Sequence, residues 1–168
     1  MIRGEVDAQR YTEIISGAGT VRLSAANYVE LAVVIDGLRD PIASGALDDV
    51  LAAYHIRIEP LTATQARLAR TAYRQFGKGS GHPARLNMGD CFAYALARET
   101  GEPLLFKGID FTLTDIELVI EPIKHRRLSE IAQGLEDPER SRDQVRADVF
   151  VDLLLGQSEG SGDPEYRP

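Results

Sequence analysis

A chain of 168 residues is long enough for one domain with an appendage, and its hydrophobic content of 43% is ordinary for a globular protein. Its single cysteine excludes an internal disulfide, and its net charge of −7 argues against a general nucleic-acid coat protein. No apolar run approaches the roughly 18 residues of a membrane span, and the start Met-Ile-Arg-Gly-Glu is unlike a signal peptide. The composition therefore predicts a cytoplasmic protein without membrane association.

The first sixty residues predict helices that alternate with short strands. Ser24 is a suitable N-cap for the second helix, and Asp40-Pro41 is expected to break the chain before a third helix that Ser44 caps. The predicted elements are helices over Ala8 to Ile15, Ala25 to Leu38 and Ser44 to Tyr54, with strands over Val21 to Leu23 and Ile56 to Ile58.

A basic helix follows, opened by the capping-box pattern Thr62-Ala-Thr-Gln65 and ended by Gly77. No acidic residue lies between Leu61 and Gly89. The basic residues there are Arg67, Arg70, Arg74, Lys78 and Arg85. The spacing of the first four places them on one helical face, which is either a positive stripe for a phosphate backbone or a solvated surface. The glycine-rich loop after this helix lacks P-loop spacing, so a nucleotide cradle is rejected.

The stretch from Leu86 to Asp115 organises the rest of the chain. Asn87 is a good N-cap, Asp90 falls in the first turn of the helix behind it, and Gly101 ends that helix. An apolar run from Pro103 to Phe106 predicts a buried strand that leads to Asp110 and Asp115, and Ile116 to Ile120 predicts a last strand. Carboxylates at a helix start and a strand end would face one crevice, where ligands bind in parallel α/β sheets.

The composition changes after Pro122, and the predicted domain boundary lies near Lys124. Residues 1–124 then form the α/β domain, and residues 125–168 form a charged tail. Leu135-Glu-Asp-Pro138 starts a helical segment in this tail, and the residues from Gln157 onward have the composition of a disordered end.

Four carboxylates lie near the ends of predicted elements, namely Glu30, Asp90, Asp110 and Asp115. Mg²⁺ prefers hard oxygen ligands, so two to four converging carboxylates could hold it, and such a site can promote phosphodiester hydrolysis. Cys91 is interpreted as a small core residue. The three histidines, His55, His82 and His125, have no ligand spacing and are not expected to take part in catalysis.

The amino-acid sequences of four segments resemble those of the VapC toxins, which are ribonucleases of the PIN-domain family. The segments are Ser24-Ala-Ala-Asn-Tyr-Val-Glu30, Gly77-Lys-Gly-Ser-Gly-His-Pro83, Leu86-Asn-Met-Gly-Asp-Cys-Phe-Ala-Tyr-Ala95 and Leu104-Leu-Phe-Lys-Gly-Ile-Asp-Phe-Thr-Leu-Thr-Asp115. They occur in the family's order, and the resemblance covers roughly Ile2 to Val119. It implies a PIN-like parallel sheet flanked by helices that gathers acidic residues around Mg²⁺ or Mn²⁺ to cut RNA.

The resemblance also implies particular roles and partners. Glu30, Asp90 and Asp110 would hold the metal and carry catalysis, with Asp115 as an auxiliary ligand. Ser24 and Asn87 would be supporting polar groups. A VapB-type antitoxin would block the site, and the toxin would form a homodimer.

Two departures from the family pattern shape the expectations. Such toxins usually begin with an apolar strand that ends in an aspartate. In this chain, Met1-Ile-Arg-Gly-Glu-Val-Asp7 matches the segment that comes after that strand. The expected fold is therefore truncated at its N-terminus. The tail from Leu135 to Gly156 resembles a segment of HNH-endonuclease-associated repeat proteins, without their nuclease residues. In a bolder interpretation, Val149-Phe-Val151 replaces the missing first strand, and Asp148 or Asp152 replaces the aspartate at its end.

Two functions follow as hypotheses. The first is a Mg²⁺-dependent endoribonuclease toxin of a type II toxin–antitoxin system that acts on a structured RNA. The second is a catalytically inactive remnant that binds antitoxin or an intact paralogue. Metal titration and RNA cleavage separate the two.

Overall fold

The computed structural model describes residues 2–119 of the chain, with side chains described from Gln9 onward. The tail beyond residue 119 and the proposed boundary near Lys124 lie outside the described residues. The elements are α1 (Ile2–Gly17), β1 (Val21–Ser24), α2 (Ala25–Gly37), α3 (Pro41–Ala53), β2 (Ile56–Glu59), α4 (Ala63–Phe76), α5 (Met88–Thr100) and a 3₁₀ helix (Asp110–Leu113).

The strands β1 and β2 pair as a parallel two-stranded sheet, and the described residues also form five α-helices. This confirms the predicted α/β class with a parallel sheet and helices. None of the helices described between residues 2 and 119 is both long and apolar enough to cross a bilayer.

The described residues fall into two compact units, one made of residues 2–21 and 31–57 and the other of residues 22–30 and 58–119. The first unit buries apolar side chains from α1, α2 and α3, among them Tyr11, Ile15, Ile35, Leu47 and Val50. All the predicted site residues belong to the second unit, so its packing decides the site.

In the second unit, α4 packs against α5 through small side chains. Ala69 and Ala72 of α4 and Ala95 of α5 are buried, which allows the two helix backbones to approach closely. The larger buried residues Tyr94 and Phe111 complete this core. Because a tightly packed interface leaves each helix one orientation, α5 presents its first turn in a fixed position.

Polar contacts hold the edges of the same unit. Arg22 of β1 forms an ion pair with Glu59 of β2, and its Nε donates to both carboxylate oxygens of Glu102 at 3.0 Å. The hydrogen bonds to Glu102 and then to Glu59 raise the pKa of Arg22. Glu99 of α5 accepts a hydrogen bond from Gln65 Nε2 at 2.6 Å, which links the ends of α4 and α5. These contacts join β1 to β2 and α4 to α5 by polar side chains.

The structure corrects one predicted helix start and one predicted cap. The third helix begins at Pro41, not after Ser44, because the Asp40 side chain accepts a hydrogen bond from the Ile42 backbone N–H and proline suits the first helical position. Ser24 precedes α2 as predicted, but its buried Oγ makes no hydrogen bond within the described residues, so it does not cap that helix. The predicted caps of α4 and α5, Thr62 and Asn87, are confirmed.

The two predicted strands around residue 110 are reduced to one parallel bridge, between Leu104 and Leu118. Leu104 N–H donates to the Glu117 carbonyl at 2.8 Å, and Val119 N–H donates to the Leu104 carbonyl at 3.2 Å. Pro103 has no N–H to extend the ladder, and Gly108 turns the chain at a φ of 109°. Within residues 2–119, Asp110 therefore follows a bridge and a turn, not a regular strand.

Gly77 follows the end of α4. Its φ of −74° is one that any residue can adopt, so the reason for a glycine here is the lack of space for a side chain. An added Cβ would lie 2.3 Å from the Tyr73 carbonyl oxygen and 2.8 Å from its ring. We expect Gly77→Ala to lower the free energy of unfolding by about 1–3 kcal/mol in urea titrations. Gly45→Ala is the control: nothing lies within 4 Å of an added Cβ in α3, so we expect a gain of about 0.5–1 kcal/mol. Equal effects of the two changes would contradict the steric explanation.

Candidate active site

The first turn of α5 holds a buried carboxylate in a capping box. Asn87 Oδ1 accepts a hydrogen bond from the Asp90 backbone N–H at 2.8 Å, and Asp90 Oδ2 accepts one from the Asn87 N–H at 2.7 Å. Only 1% of Asp90 is exposed. The positive end of the helix dipole favours a negative charge here. The sequence prediction that Asn87 and Asp90 start this helix is confirmed, and the carboxylate is fixed in orientation.

Asn27 connects α2 to this turn. Its Nδ2 donates to the Gly89 carbonyl at 2.9 Å and lies 3.4 Å from Glu30 Oε2. Asn27 and Glu30 are three residues apart, so they share one face of α2. The Asn27 amide nitrogen therefore links Glu30, which is half-buried, to the carbonyl of the residue that precedes Asp90. The structure thus connects two of the predicted acidic residues through one intervening side chain.

Two further oxygen atoms in this region are buried without a hydrogen-bond partner in the described part of the chain. They are Ser24 Oγ, at the end of β1, and Asn27 Oδ1. Unpaired buried oxygens are unusual because each carries a desolvation cost. Hydroxyl and amide oxygens are, like carboxylates, the hard donors that Mg²⁺ and Mn²⁺ accept. The donor set of Glu30, Asp90, Ser24 and Asn27 therefore fits a divalent cation chemically.

The other two predicted ligands have different surroundings. Asp110 begins the 3₁₀ helix and is half-buried. Asp115 accepts a hydrogen bond from Tyr94 Oη at 2.7 Å, and its other oxygen lies 3.7 Å from Arg98. Tyr94 is one helical turn beyond Asp90, so Asp115 is held against the next turn of α5. Across residues 2–119, no three His, Cys, Asp or Glu side chains are grouped closely enough to hold a metal ion on their own. The ligand roles of all four carboxylates remain predictions.

The hydrogen bond between Tyr94 and Asp115 has a pH signature. Burial, together with this bond, raises the pKa of Tyr94 to about 12. The pKa of a tyrosine in an unfolded chain is ~10. The contribution of the protonated Tyr94 to the free energy of unfolding is therefore complete below that pH and is lost as the pH rises through about 12.

We expect Tyr94→Phe to lower the free energy of unfolding by about 1 kcal/mol at pH 7, because the hydrogen bond is lost, and by less as the pH rises above ~10. Urea titrations at several pH values measure this difference. Tyr73→Phe, at an exposed tyrosine, should change the free energy of unfolding by no more than about 0.5 kcal/mol. A constant deficit of Tyr94→Phe between neutral and alkaline pH would contradict the assignment.

The prediction that Cys91 is a core residue is confirmed, and His82 has structural contacts. Cys91 is buried in the core, and burial raises its pKa to about 11, so it is a neutral thiol at pH 7. His82 Nδ1 accepts a hydrogen bond from the Ala84 N–H at 3.2 Å, and its ring meets the Phe76 ring edge-on at 5.0 Å. These contacts order the loop after α4. His125 lies outside the described residues.

The predicted basic surface is solvent-exposed. Its residues, Arg67, Arg70, Arg74, Lys78 and Arg85, are all exposed. The opposite face of α4 buries Ala69 and Ala72 against α5, which sets the arginines outward. We call Arg67, Arg70, Arg74 and Lys78 the basic stripe. Its exposure agrees with the sequence analysis, and its binding role stays a prediction.

Sequence reasoning missed two residues of this site. Asn27 was not selected, although it precedes Glu30 by three residues on a predicted helix. Tyr94 was also missed, although it follows Asp90 by four residues and so lies on the same side of α5. In both cases helical spacing from a chosen acidic residue was the available signal.

Known proteins resemble this chain closely. The PIN domain family matches residues 1–117. The ribonuclease VapC28 of Mycobacterium tuberculosis is 49% identical over 121 residues, which are 72% of this chain and 91% of that protein. Ribonuclease VapC42 of the same species is 50% identical over 116 residues, covering 69% of this chain and 88% of that protein.

Ribonuclease VapC30 from that organism is 42% identical over 122 residues, with coverage of 73% and 92%. The family match over residues 1–117 includes β1, Glu30, Asp90 and α5. The site at the start of α5 therefore lies in the region matched to the PIN domain family. The chain belongs to the PIN-domain family, within which it is a ribonuclease toxin of the VapC type.

Proposed function

We propose that the chain is a Mg²⁺- or Mn²⁺-dependent endoribonuclease and the toxin of a type II toxin–antitoxin system. The observation that carries the proposal is the Asn27 bridge, which joins Glu30 to the turn that holds the buried Asp90. Two carboxylates linked through one side chain repel each other, and a divalent cation bound by both would offset that repulsion. This supports a cation as part of the working site.

Each residue then has a defined task. Glu30 and Asp90 would hold the cation, Asp110 would complete the site, and Asp115 would be an auxiliary ligand. Ser24 and Asn27 would supply neutral oxygens, and Asn87 orients Asp90 through its N–H. When bound, a divalent cation neutralises charge on the scissile phosphate and lowers the pKa of water. The chain's own contribution is a rigid cradle of oxygens at a helix start.

The basic stripe supports RNA as the substrate. A chain of net charge −7 repels a polyanion overall, so the local positive surface on α4 is needed to hold the phosphate backbone. Arg67, Arg70 and Arg74 of the stripe lie on α4, and Asp90 of the acidic site lies on α5, and these two helices pack directly together.

The toxin–antitoxin assignment comes from the family. We propose a VapB-type antitoxin that covers the acidic site, and a homodimer as the toxin's own assembly. Val29 stands beside Glu30 on α2 and is 58% exposed, an apolar contact that a blocking partner could use. Co-purification with a co-expressed VapB-type antitoxin tests the first assembly, and size-exclusion chromatography of the chain alone tests the second.

RNA cleavage by the full chain tests the enzymatic proposal. We expect cleavage of total RNA in millimolar Mg²⁺, loss of cleavage in EDTA, and recovery when Mn²⁺ is added. Cleavage that persists in EDTA would contradict the role of the metal. RNA binding without any cleavage would favour the alternative of an inactive protein that acts through its partners.

A further inference from the structure

A cleft of about 440 Å³ lies between α4 and the first turn of α5. This is within the volume range of small-molecule sites, roughly 300–1,000 Å³. Ala69 and Cys91 are its most deeply buried lining residues, whereas Tyr73 and Met88 are 45% and 68% exposed. The cleft is thus an apolar recess that opens to solvent beside exposed, polarisable side chains.

The side walls carry flat apolar groups. Tyr73 of α4 and Phe92 of α5 both line the cleft. Gly77 has no side chain, and this allows the Tyr73 ring to lie against the end of α4. Aromatic rings held in this way are the usual platforms for nucleobases, and Met88 is a soft, adaptable contact at the opening.

The remaining lining residues are complementary to a phosphate. Arg70 and Lys78 both line the cleft, both are exposed, and neither forms an ion pair with an acidic side chain within residues 2–119. An apolar recess with two cations beside it matches a nucleotide, whose base is apolar on its faces and whose phosphate is negative.

The cleft adjoins the acidic site through Asn87. Asn87 lines the cleft, and its backbone N–H is also hydrogen-bonded to the Asp90 carboxylate. A group seated in the cleft would therefore lie beside the turn that carries Asp90.

From this geometry we infer that the cleft takes one unpaired base of the substrate RNA, with Arg70 and Lys78 on the flanking phosphates. The inference rests on the proposed ribonuclease function and adds to it the part of the protein that would hold an unpaired base. A base inside a duplex is stacked on both faces, so it cannot enter a recess in the protein.

Equilibrium binding of a fluorescein-labelled single-stranded RNA octamer in EDTA tests the inference without cleavage. We expect Tyr73→Leu to weaken binding by about tenfold or more, because a stacking platform is lost. Tyr73→Phe keeps the ring and should stay within about twofold of the wild type. An abasic nucleotide at the position that enters the cleft should weaken binding to the wild type but not to Tyr73→Leu. Arg57→Gln, at an exposed arginine of β2, is the charge control.

A second measurement does not depend on the Tyr73 variants. The chain has no tryptophan, so Met88→Trp places a single tryptophan beside the cleft, which can be excited selectively over the six tyrosines. We expect the octamer to quench its emission and an RNA duplex not to do so, whereas Val33→Trp on α2 should respond to neither.

Three results would overturn the inference. Tyr73→Leu could bind the octamer with unchanged affinity, or the duplex and the octamer could quench the Met88→Trp emission equally. The third is a change in that emission with protein concentration alone. The last would mean that a second copy of the chain fills the cleft. Because binding is measured in EDTA, failure here is distinct from failure of metal-dependent cleavage.

Discussion

Asp90→Asn is expected to lower the rate of metal-dependent RNA cleavage by at least about a hundredfold, since even residues that only support a metal ligand contribute roughly 10- to 100-fold. The change removes one negative charge and almost no volume. The asparagine side-chain oxygen can still accept the hydrogen bond that the Asn87 N–H now donates to Asp90 Oδ2 at 2.7 Å. The helix start should therefore persist while the proposed ligand is weakened.

The control for this variant is Asp40→Asn. Asp40 also caps a helix through its side chain, at the start of α3, but it is exposed and belongs to the other compact unit. We expect Asp40→Asn to cleave RNA at the wild-type rate, and circular dichroism to show the same helix content for both variants. Equal cleavage rates for Asp90→Asn and the wild type would remove Asp90 from the mechanism.

The second large effect is expected from Arg67, Arg70 and Arg74 of the basic stripe. Replacing all three by glutamine should weaken RNA binding on the order of a hundredfold at 0.1 M salt, because each phosphate contact to a single strand contributes about 0.7 to the log–log salt slope. The slope should fall by roughly two units. The fold should persist, since all three side chains are exposed on a helix with a confirmed N-cap.

A matched triple variant separates local from overall charge. Arg39, Arg57 and Lys107 are exposed, and their replacement by glutamine also changes the net charge from −7 to −10 (−7 − 3). We expect this control to keep most of its affinity and its salt slope. If the two triple variants bind RNA equally well, the stripe is a solvated helix face and the proposed interface is wrong.

The sequence by itself determined the features that depend on a few neighbouring residues. The start of α5 is such a feature, because Asn87 and Asp90 cap the same turn, and its end at Gly101 follows from a backbone φ of 67° that glycine adopts freely. The basic stripe also follows from spacing, since side chains three and four residues apart share a helix face. The start of α3 failed as a prediction because Asp40 and Ser44 are both good caps, and only Pro41 favours the earlier one.

The tertiary structure alone decided what happens between distant segments. Asn27 and Gly89 are 62 positions apart, and their hydrogen bond exists only because packing brings α2 against the start of α5. Asp115 accepts a hydrogen bond from Tyr94, which is 21 positions earlier in the chain. The cleft between α4 and α5 depends on the short distance between the two helices that their alanine side chains permit. Local patterns fix caps and faces because those forces act within one or two turns, whereas a site assembled across the chain depends on how completed elements pack.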